Sequence, residues 1–373
     1  MDKLDISHSN LAWTPDMFSF IYNSNPGRVV FKPGALSDIS AELDRLGCKA
    51  ALILSTPQQV NAAEQVTTLL GSSAVGIFSN ATMHTPIAIT LQALAQAEDK
   101  HADCVISVGG GSTTGLGKAI SVRTGLPHIS VPTTYAGSEM TPVLGETVDG
   151  VKTTRTDPKI LPNTVIYDVN LTLSLPQNLS ATSGINAIAH AVEALYAPDT
   201  NPVIRLLAKE GIHALAKSLP VIVADGANLS ARSTALYGAW LCGQCLGSTT
   251  MSLHHKLCHV LGGLFNLPHA ETHTIMLPHT VAYNAPAIPE ASRDMIDVLP
   301  GADGDCVRGL NKLIDGLGMG KALRDYGMKE EDVEKAADYA LRNPYANPRP
   351  IVLEKIRELI RRAWAGEEAR SDL

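Results

Sequence analysis

The chain has 373 residues, of which 45% are hydrophobic and 18% charged, and its formal net charge is -7. This length accommodates two domains with substantial cores, and the apolar content is too high for a disordered chain. The negative charge argues against a general nucleic-acid binder or membrane-surface binder. The N-terminal residues lack the pattern of a secretory signal, no apolar run approaches the roughly 20 residues that span a bilayer, and the six cysteines are scattered. These features predict a reduced, cytoplasmic protein.

The first half of the chain alternates short β-rich runs with helical segments. Alternation of this kind predicts βαβ units and a mostly parallel sheet. Strands are predicted at 28–34, 49–55, 74–79, 104–110, 128–134 and 164–169, and helices near 58–70 and 86–102.

Beyond about residue 175 the apolar positions take helical spacing, and strands become hard to find. We therefore predict an α/β domain with a Rossmann-like parallel sheet over residues 1–174, and an all-α domain over residues 175–373. The active site is expected in the cleft between them. The predicted helices are 181–196, 201–217, 230–247, 252–265, 306–317, 330–342 and 351–364.

Cys242 and Cys245 form a CxxC motif within the apolar helical stretch ALYGAWLCGQCLG. No second cysteine pair in the sequence completes a zinc site. We therefore favour two core residues over a redox or zinc site.

The stretch CVISVGGGSTTGLGKAI, residues 104–120, predicts a strand, a glycine turn and a helix. The free N–H groups and partial positive charge of a helix N-terminus bind phosphate, and glycines let the phosphate approach the backbone. The Walker pattern fails because Ala119 follows Lys118, and GxGxxG fails at Thr114. Lys118 either adds charge to the site or faces solvent. Taken alone, the loop only slightly favours a phosphate cradle over a structural turn.

A second loop, VPTTYAGSEMTP at 131–142, follows the next strand. Ligands of open α/β sheets bind at the carboxyl ends of the strands, where these two loops would meet. A loop whose hydroxyls satisfy its own backbone is the alternative. Two such loops in one sheet favour a dinucleotide site. The second loop contributes Thr133, Thr134, Ser138 and Thr141.

The histidines of the helical half are grouped. Asn186 and His190 lie four residues apart, as do His255 and His259, and His269 follows ten residues later. Residues four apart share one face of a helix, so these side chains are expected to converge. Two helices that supply ligands in this way are a common design for metal sites in helical domains.

The chemistry of this group leaves two possibilities open. Asn186 offers a neutral amide oxygen where a carboxylate would give a divalent ion a charged ligand. Alternatively, the histidines act directly as proton donors, or as hydrogen-bond donors to a developing oxyanion.

The sequence resembles the iron-containing (group III) alcohol dehydrogenase superfamily, and its motifs are most similar to those of the maleylacetate reductase branch. The resemblance runs from about residue 17 to 365. Two departures from the wider superfamily are typical of that branch: Gly115 replaces the aspartate of GGGSxxDxxK, and Asn186 replaces the aspartate of an Asp/His/His/His metal site at 186, 190, 255 and 269. They weaken any transfer of metal-dependent alcohol oxidation to this chain. The stretches that carry the resemblance are GGGSTTGLGKAI, YAGSEMTP, SGINAIAHAVEALYA and LHHKLCHVLGGLFNLPHAETH.

The resemblance implies reduction of the C=C bond of maleylacetate to give 3-oxoadipate, during breakdown of aromatic compounds. It also implies NADH or NADPH as cofactor, a homodimer, and no tightly bound metal. An acidic residue at position 55 would disfavour the 2′-phosphate of NADPH. Ser55 is uncharged, so neither NADH nor NADPH is excluded. The implied cofactor contacts are Ser55, Thr56, Pro57, Gly110, Gly111, Ser112, Thr133, Thr134, Ser138 and Thr141.

Hydride addition to the carbon β to the ketone of this dicarboxylate generates an enolate, which needs a stabiliser and a proton donor. Lys152 and Arg349 are candidates to bind the substrate carboxylates, although solvated surface charges are the alternative. Two other functions remain open: a metal-dependent alcohol or hydroxyacid dehydrogenase of the same superfamily, and a non-catalytic nucleotide-binding protein. The residues expected to line the catalytic pocket, with at least one histidine protonated, are Asn186, His190, His255, His259 and His269.

Overall fold

The computed structural model describes residues 20–22, 24–25, 27–148, 151–342 and 345–373, without the side chains of residues 151 and 152. Its first half contains a parallel six-stranded sheet and a separate two-stranded hairpin. The strands are β1 (Arg28–Phe31), β2 (Ala51–Leu54), β3 (Ala74–Phe78), β4 (Cys104–Gly109), β5 (His128–Pro132), β6 (Val143–Val148), β7 (Val151–Thr156) and β8 (Thr164–Tyr167).

The six-stranded sheet has the order β1-β8-β5-β4-β2-β3, and every pairing in it is parallel. Every residue of β2, β4, β5 and β8 is buried. Central parallel strands are covered on both faces, which explains why these segments read as continuous apolar runs rather than as alternating patterns. All six predicted strands are confirmed.

Helices cover both faces of this sheet. Ile53 packs into a core with residues of α1 and α2, whereas its neighbours Leu52 and Leu54 pack into a second core with residues of α3 and α4. The alternation of side chains along one strand therefore supplies two cores. The helices of this half are α1 (Ile39–Arg45), α2 (Val60–Leu70), α3 (Ile87–Asp99) and α4 (Gly111–Thr124).

The second half of the described chain is helical, as predicted. No helix among the described residues has the length and apolar character needed to cross a membrane. Two helices were not predicted, α9 and α10. The helices are α5 (Gln177–Leu195), α6 (Pro202–Ala224), α7 (Leu229–Ser248), α8 (Leu253–Phe265), α9 (His269–Asn284), α10 (Pro289–Val298), α11 (Cys306–Gly316), α12 (Asp332–Ala340) and α13 (Leu353–Ala365).

Helix α5 is the centre of the helical half, because every residue from Ser180 to Leu195 is buried. Small residues let its neighbours approach closely: a Cβ on Gly184 would lie 2.5 Å from a methyl carbon of Leu219 in α6. A helix buried all round places its polar side chains inside the protein, where they need partners. Asn186 and His190 are two such side chains.

Cys242 and Cys245 are buried in α7 as free thiols. Burial raises the pKa of the Cys245 thiol to about 12. A thiol with so high a pKa is a poor nucleophile and a poor metal ligand. The two cysteines are core residues, as predicted.

Candidate active site

The turn between β4 and α4 is built from glycines. Gly109 has φ +144°, and a Cβ there would lie 2.3 Å from Oε1 of Gln59, so only glycine fits. A Cβ on Gly110 would lie 2.9 Å from Cγ2 of Thr134. Gly110 is the N-cap of α4, and no side chain among the described residues caps this helix. Its first amide groups are therefore available to an anion.

A cavity of about 450 Å³ lies beside this turn. It brings Thr56 and Pro57, which follow β2, together with Ser112 in the first turn of α4. The side chains that line it are uncharged, and Asn80 and Met83 are among them. Three of the residues predicted to bind the cofactor thus share one cavity. Ser55 directly precedes Thr56, and its buried Oγ has no hydrogen-bond partner among the described residues.

The hydroxyls of the second loop divide into two groups. Thr134 packs against Gly110, and the Oγ of Ser138 lies 3.9 Å from the Cβ position of Gly111, so both face the glycine turn. Thr133 and Thr141 are buried, and their hydroxyls form hydrogen bonds within the protein. The Oγ1 of Thr133 accepts a hydrogen bond from Gln59 at 2.8 Å, and the Oγ1 of Thr141 donates to the Ser138 carbonyl at 3.0 Å.

Lys118 lies inside the protein, so the prediction that it could face solvent is wrong. Its Nζ donates to Oγ1 of Thr141 at 2.8 Å, to the carbonyl of Val143 at 2.9 Å, and to the carbonyl of Ser138. These bonds fasten the segment 138–143 to the helix that follows the glycine turn. Burial lowers the pKa of Lys118 to about 7, although the nearby Glu139 acts in the opposite direction.

The four predicted histidines converge from three helices. Ring centroids are 4.9 Å apart for His190 and His255, 6.3 Å for His255 and His259, and 6.4 Å for His259 and His269. His190 and His255 are buried, whereas His259 is exposed and His269 half-buried. The histidines therefore form a continuous row from the surface into the core.

The inner end of the row is a chain of hydrogen bonds. His190 pairs through Nε2 with the Ala136 carbonyl at 3.2 Å, and through Nδ1 with Nε2 of His255 at 2.7 Å. Nδ1 of His255 pairs with a carboxylate oxygen of Glu193 at 2.7 Å. Because Ala136 belongs to the second hydroxyl-rich loop, this chain connects the histidines directly to the proposed dinucleotide site.

The donors and acceptors in this series of hydrogen bonds can be assigned from their partners. A carbonyl and a carboxylate only accept, so Nε2 of His190 and Nδ1 of His255 both donate. The contact between the two rings is a hydrogen bond only when one of the two facing nitrogens also carries a proton. Burial, and next the charge on His255, lowers the pKa of His190 well below its ordinary value.

Two further histidines lie behind this row. His254 pairs through Nδ1 with Oγ1 of Thr280 at 3.1 Å, and through Nε2 with Nδ1 of His273 at 2.9 Å. The His273 ring centroid is 4.3 Å from that of His269. Burial is the largest cause that lowers the pKa of both His254 and His273 well below the ordinary value. These two rings are therefore neutral supports for the row.

Glu193 was not identified from the sequence. It is fully buried, and it lies three residues after His190 in α5, on the same helical face. An acidic residue in the interior of an apolar helix, one turn from a candidate histidine, was the signal that could have identified it.

The resemblance predicts that the metal positions of the wider superfamily correspond to Asn186, His190, His255 and His269. Asn186 is buried, and its Oδ1 has no hydrogen-bond partner among the described residues. An oxygen of this kind is available as a metal ligand. However, all four donors are neutral ligands, and the facing nitrogens of His190 and His255 are hydrogen-bonded to each other at 2.7 Å. The residues present therefore would hold a divalent ion less firmly than a set that includes a carboxylate.

Two basic residues, Lys152 and Arg349, were predicted to bind the substrate carboxylates. Lys152 pairs with Thr147 in the hairpin, but its side chain lies outside the described residues. Arg349 does not support its prediction, because its guanidinium donates to the main-chain oxygens of Tyr283 and Leu373, both at 2.6 Å. These bonds fasten the C-terminal residues to the end of α9.

Residues 26–169 match the family described as iron-containing alcohol dehydrogenase, and residues 180–364 match the C-terminal part of the Fe-containing alcohol dehydrogenase family. The maleylacetate reductase of Burkholderia cepacia is 52% identical over 350 residues, which cover 94% of this chain and 99% of that protein. The crystal structure of maleylacetate reductase from Agrobacterium tumefaciens is 50% identical with a TM-score of 0.91, and covers 94% of this chain and 100% of that one. For the enzyme from Rhizobium sp. strain MTP-10005 the identity is 49%, the TM-score 0.90 and the coverage 94% and 100%. The chain therefore belongs to the iron-containing alcohol dehydrogenase family.

Proposed function

We propose that this chain reduces the C=C bond of maleylacetate to give 3-oxoadipate, with NADH or NADPH as the hydride donor. The observation that carries the proposal is the hydrogen-bonded pair formed by His190 and His255, which touches the second hydroxyl-rich loop through Ala136. The maleylacetate reductases that are about half identical to the chain support the same activity.

The glycine turn and the cavity beside it fit a nicotinamide dinucleotide. A Cβ on Gly110 would fill the space next to Thr134, and the first amides of α4 supply donors for a pyrophosphate. Thr56, Pro57 and Ser112 line the cavity, and their neighbours in it carry no charge. A 2′-phosphate meets no repelling carboxylate and no attracting cation there, which supports use of both NADH and NADPH.

The histidine pair supplies what the second half of the reaction needs. When bound, the reduced nicotinamide supplies a hydride to the substrate carbon β to the ketone, which leaves an enolate. An imidazolium within this buried group of histidines would stabilise negative charge on the enolate oxygen more strongly than it would in water. One histidine of the row supplies the proton to carbon, and His259 and His269 lie between this pair and the surface.

No step in this scheme requires a metal, and we do not expect one to be tightly bound. The donor set at Asn186, His190, His255 and His269 is neutral, which disfavours the alternative of a metal-dependent alcohol or hydroxyacid dehydrogenase. The hydrogen-bonded histidine pair likewise disfavours a non-catalytic nucleotide-binding protein, since nucleotide binding alone needs no such pair. Our further proposals are domains of residues 1–174 and 175–373, a homodimer and a cytoplasmic location.

The test is loss of NADH absorbance on addition of maleylacetate, with the product identified as 3-oxoadipate. We expect turnover in the purified protein and its retention after chelation. His255→Ala should keep NADH binding and lower kcat by about 10²- to 10⁴-fold. His213→Ala is the matched control, because His213 is an exposed histidine of α6. Turnover of a simple alcohol but not of maleylacetate, with loss of activity on chelation, would overturn the proposal.

A further inference from the structure

Glu193 makes an unusually complete set of contacts for a buried acid. Its carboxylate is fully buried. It accepts hydrogen bonds from Nδ1 of His255 at 2.7 Å, from the N–H of Ser252 at 2.8 Å and from the N–H of His254 at 2.7 Å. The Tyr196 hydroxyl adds a longer contact at 3.4 Å. A buried carboxylate with this many donors has a fixed position and a fixed rotamer.

The main-chain donors belong to the start of α8, the helix that carries His255. Ser252 is the N-cap of α8, and its own side chain makes no capping bond among the described residues. Glu193 therefore takes the place of a local cap, and the positive end of the helix dipole adds to its attraction. One carboxylate thus fixes both the helix and the ring that projects from it.

This arrangement decides which nitrogen of His255 faces His190. Because Glu193 only accepts, Nδ1 of His255 carries a proton that points toward the carboxylate. Nε2 is then directed at His190, 2.7 Å away. A second hydrogen bond of this kind commonly sets the tautomer and ring orientation of a functional histidine.

Resting on the function proposed above, we propose that Glu193 is a positioning residue for the reduction, which holds His255 with Nε2 toward His190 and places a carboxylate next to the pair. With asparagine at 186, the charge next to the histidines comes from Glu193, seven residues further along α5. Glu193 is too buried to touch substrate itself and acts through His255.

Glu193→Gln is the decisive variant. Four N–H donors converge on this side chain, the fourth being the main-chain N–H of His255 at 3.4 Å. The glutamine amide has one acceptor oxygen and a competing NH₂ group. His255 must then rotate or move its proton to the other nitrogen. We expect kcat to fall by about 10- to 100-fold, while the Kd for NADH, measured by fluorescence quenching, stays within about twofold of the wild-type value. Tyr196→Phe is the control, because it removes another contact of Glu193 without touching His255.

A double substitution separates positioning from stability. If Glu193 acts through His255, adding Glu193→Gln to His255→Ala should lower kcat by less than about twofold further, because the two losses are not additive. Glu193→Asp keeps the charge and shortens the reach to His255, and it should lower kcat in the same way if the glutamine variant does not fold.

The outcomes that overturn the inference are distinct from those that overturn the function. Wild-type kcat in a folded Glu193→Gln protein with a lowered melting temperature would leave Glu193 as a helix cap only. Full additivity with His255→Ala would also exclude action through that ring. In both cases wild-type turnover of maleylacetate would persist, whereas its absence from the wild-type protein would remove the proposed function itself.

Discussion

Gly115 and Thr85 share a space that admits only one side chain: a Cβ on Gly115 would lie 2.5 Å from Oγ1 of Thr85. Thr85 is buried and has φ 44°, a left-handed conformation that is strained for a β-branched residue. The carbonyl of Thr85 accepts the N–H of Thr147 at 3.2 Å, so the hairpin holds it in place. In this chain Thr85 therefore occupies the space that a side chain at position 115 would need.

Gly115→Ala should weaken cofactor binding and stability together. The new methyl group displaces Thr85 and the neighbouring segment that borders the cavity at Met83. We expect the free energy of unfolding to fall by about 1–3 kcal/mol and the Kd for NADH to rise several-fold. Gly316→Ala is the matched control, because nothing lies within 4 Å of its Cβ position at the end of α11. Equal behaviour of the two variants in urea unfolding and NADH titration would contradict the prediction.

The fold was largely predictable because its signals are local. The buried strands are apolar runs between helical segments, and six of them were located within a few residues of their observed ends. The β6–β7 hairpin was missed, although Asp149-Gly150 between two alternating runs is a hairpin signal. Helix α9 was missed because Pro278 lies inside it and Pro268 precedes it, and both residues read as turns.

The candidate site was predictable only in part. Spacing places Asn186 with His190 and His255 with His259, because i and i+4 positions share a helix face. The bond between Glu193 and His255 joins residues 62 apart, and no sequence spacing encodes it. The same holds for Arg349, whose partners Tyr283 and Leu373 come from the end of α9 and the C-terminal residues.

Asn186→Asp should create a site that holds a divalent ion. The Oδ1 of Asn186 is buried without a partner among the described residues, and a carboxylate there adds the charge that the three histidines lack. We expect the affinity for Zn²⁺ to rise by at least about tenfold, equivalent to about 1.4 kcal/mol, by isothermal titration and by metal content after dialysis. Asn170→Asp adds the same charge at an exposed position and is the control. No gain over that control would mean that geometry, rather than ligand charge, limits metal binding here.

Arg349→Ala should lower stability without changing substrate affinity. The variant loses two hydrogen bonds to main-chain oxygens and a stacking contact with the Tyr283 ring, whose centroid is 4.5 Å from the guanidinium carbon. Hydrogen bonds from a charged donor contribute about 1.5–3 kcal/mol, so we expect a loss of this order in urea unfolding. The KM for maleylacetate should stay within about twofold of the Arg308→Ala control, whose side chain is an exposed ion-pair partner of Asp303. A tenfold rise in KM at unchanged stability would restore the role in substrate binding.

Lys118 should give the folded protein a stability that rises with pH. In the unfolded chain its amine keeps the ordinary lysine pKa of 10.5, whereas burial lowers the folded pKa to about 7. Between these values the unfolded chain binds more protons, so the free energy of unfolding increases with pH, by at most about 1.4 kcal/mol per unit. Below pH 7 the amine is charged in both the folded and the unfolded state, and the full cost of burying that charge lowers the free energy of unfolding.

The comparison with Lys118→Met isolates this contribution, because every other titrating group is common to both proteins. We expect the stability of the wild type relative to the variant, measured by urea unfolding at pH 7, 8 and 9, to increase steadily across the series. The three oxygen acceptors around Nζ favour the ammonium and oppose the desolvation caused by burial. A flat or falling difference would mean that these acceptors prevail and that Lys118 stays charged in the folded protein up to pH 9. A rising difference would mean that the segment 138–143, which lies beside the glycine turn, is fastened by an amine that loses its charge near neutral pH.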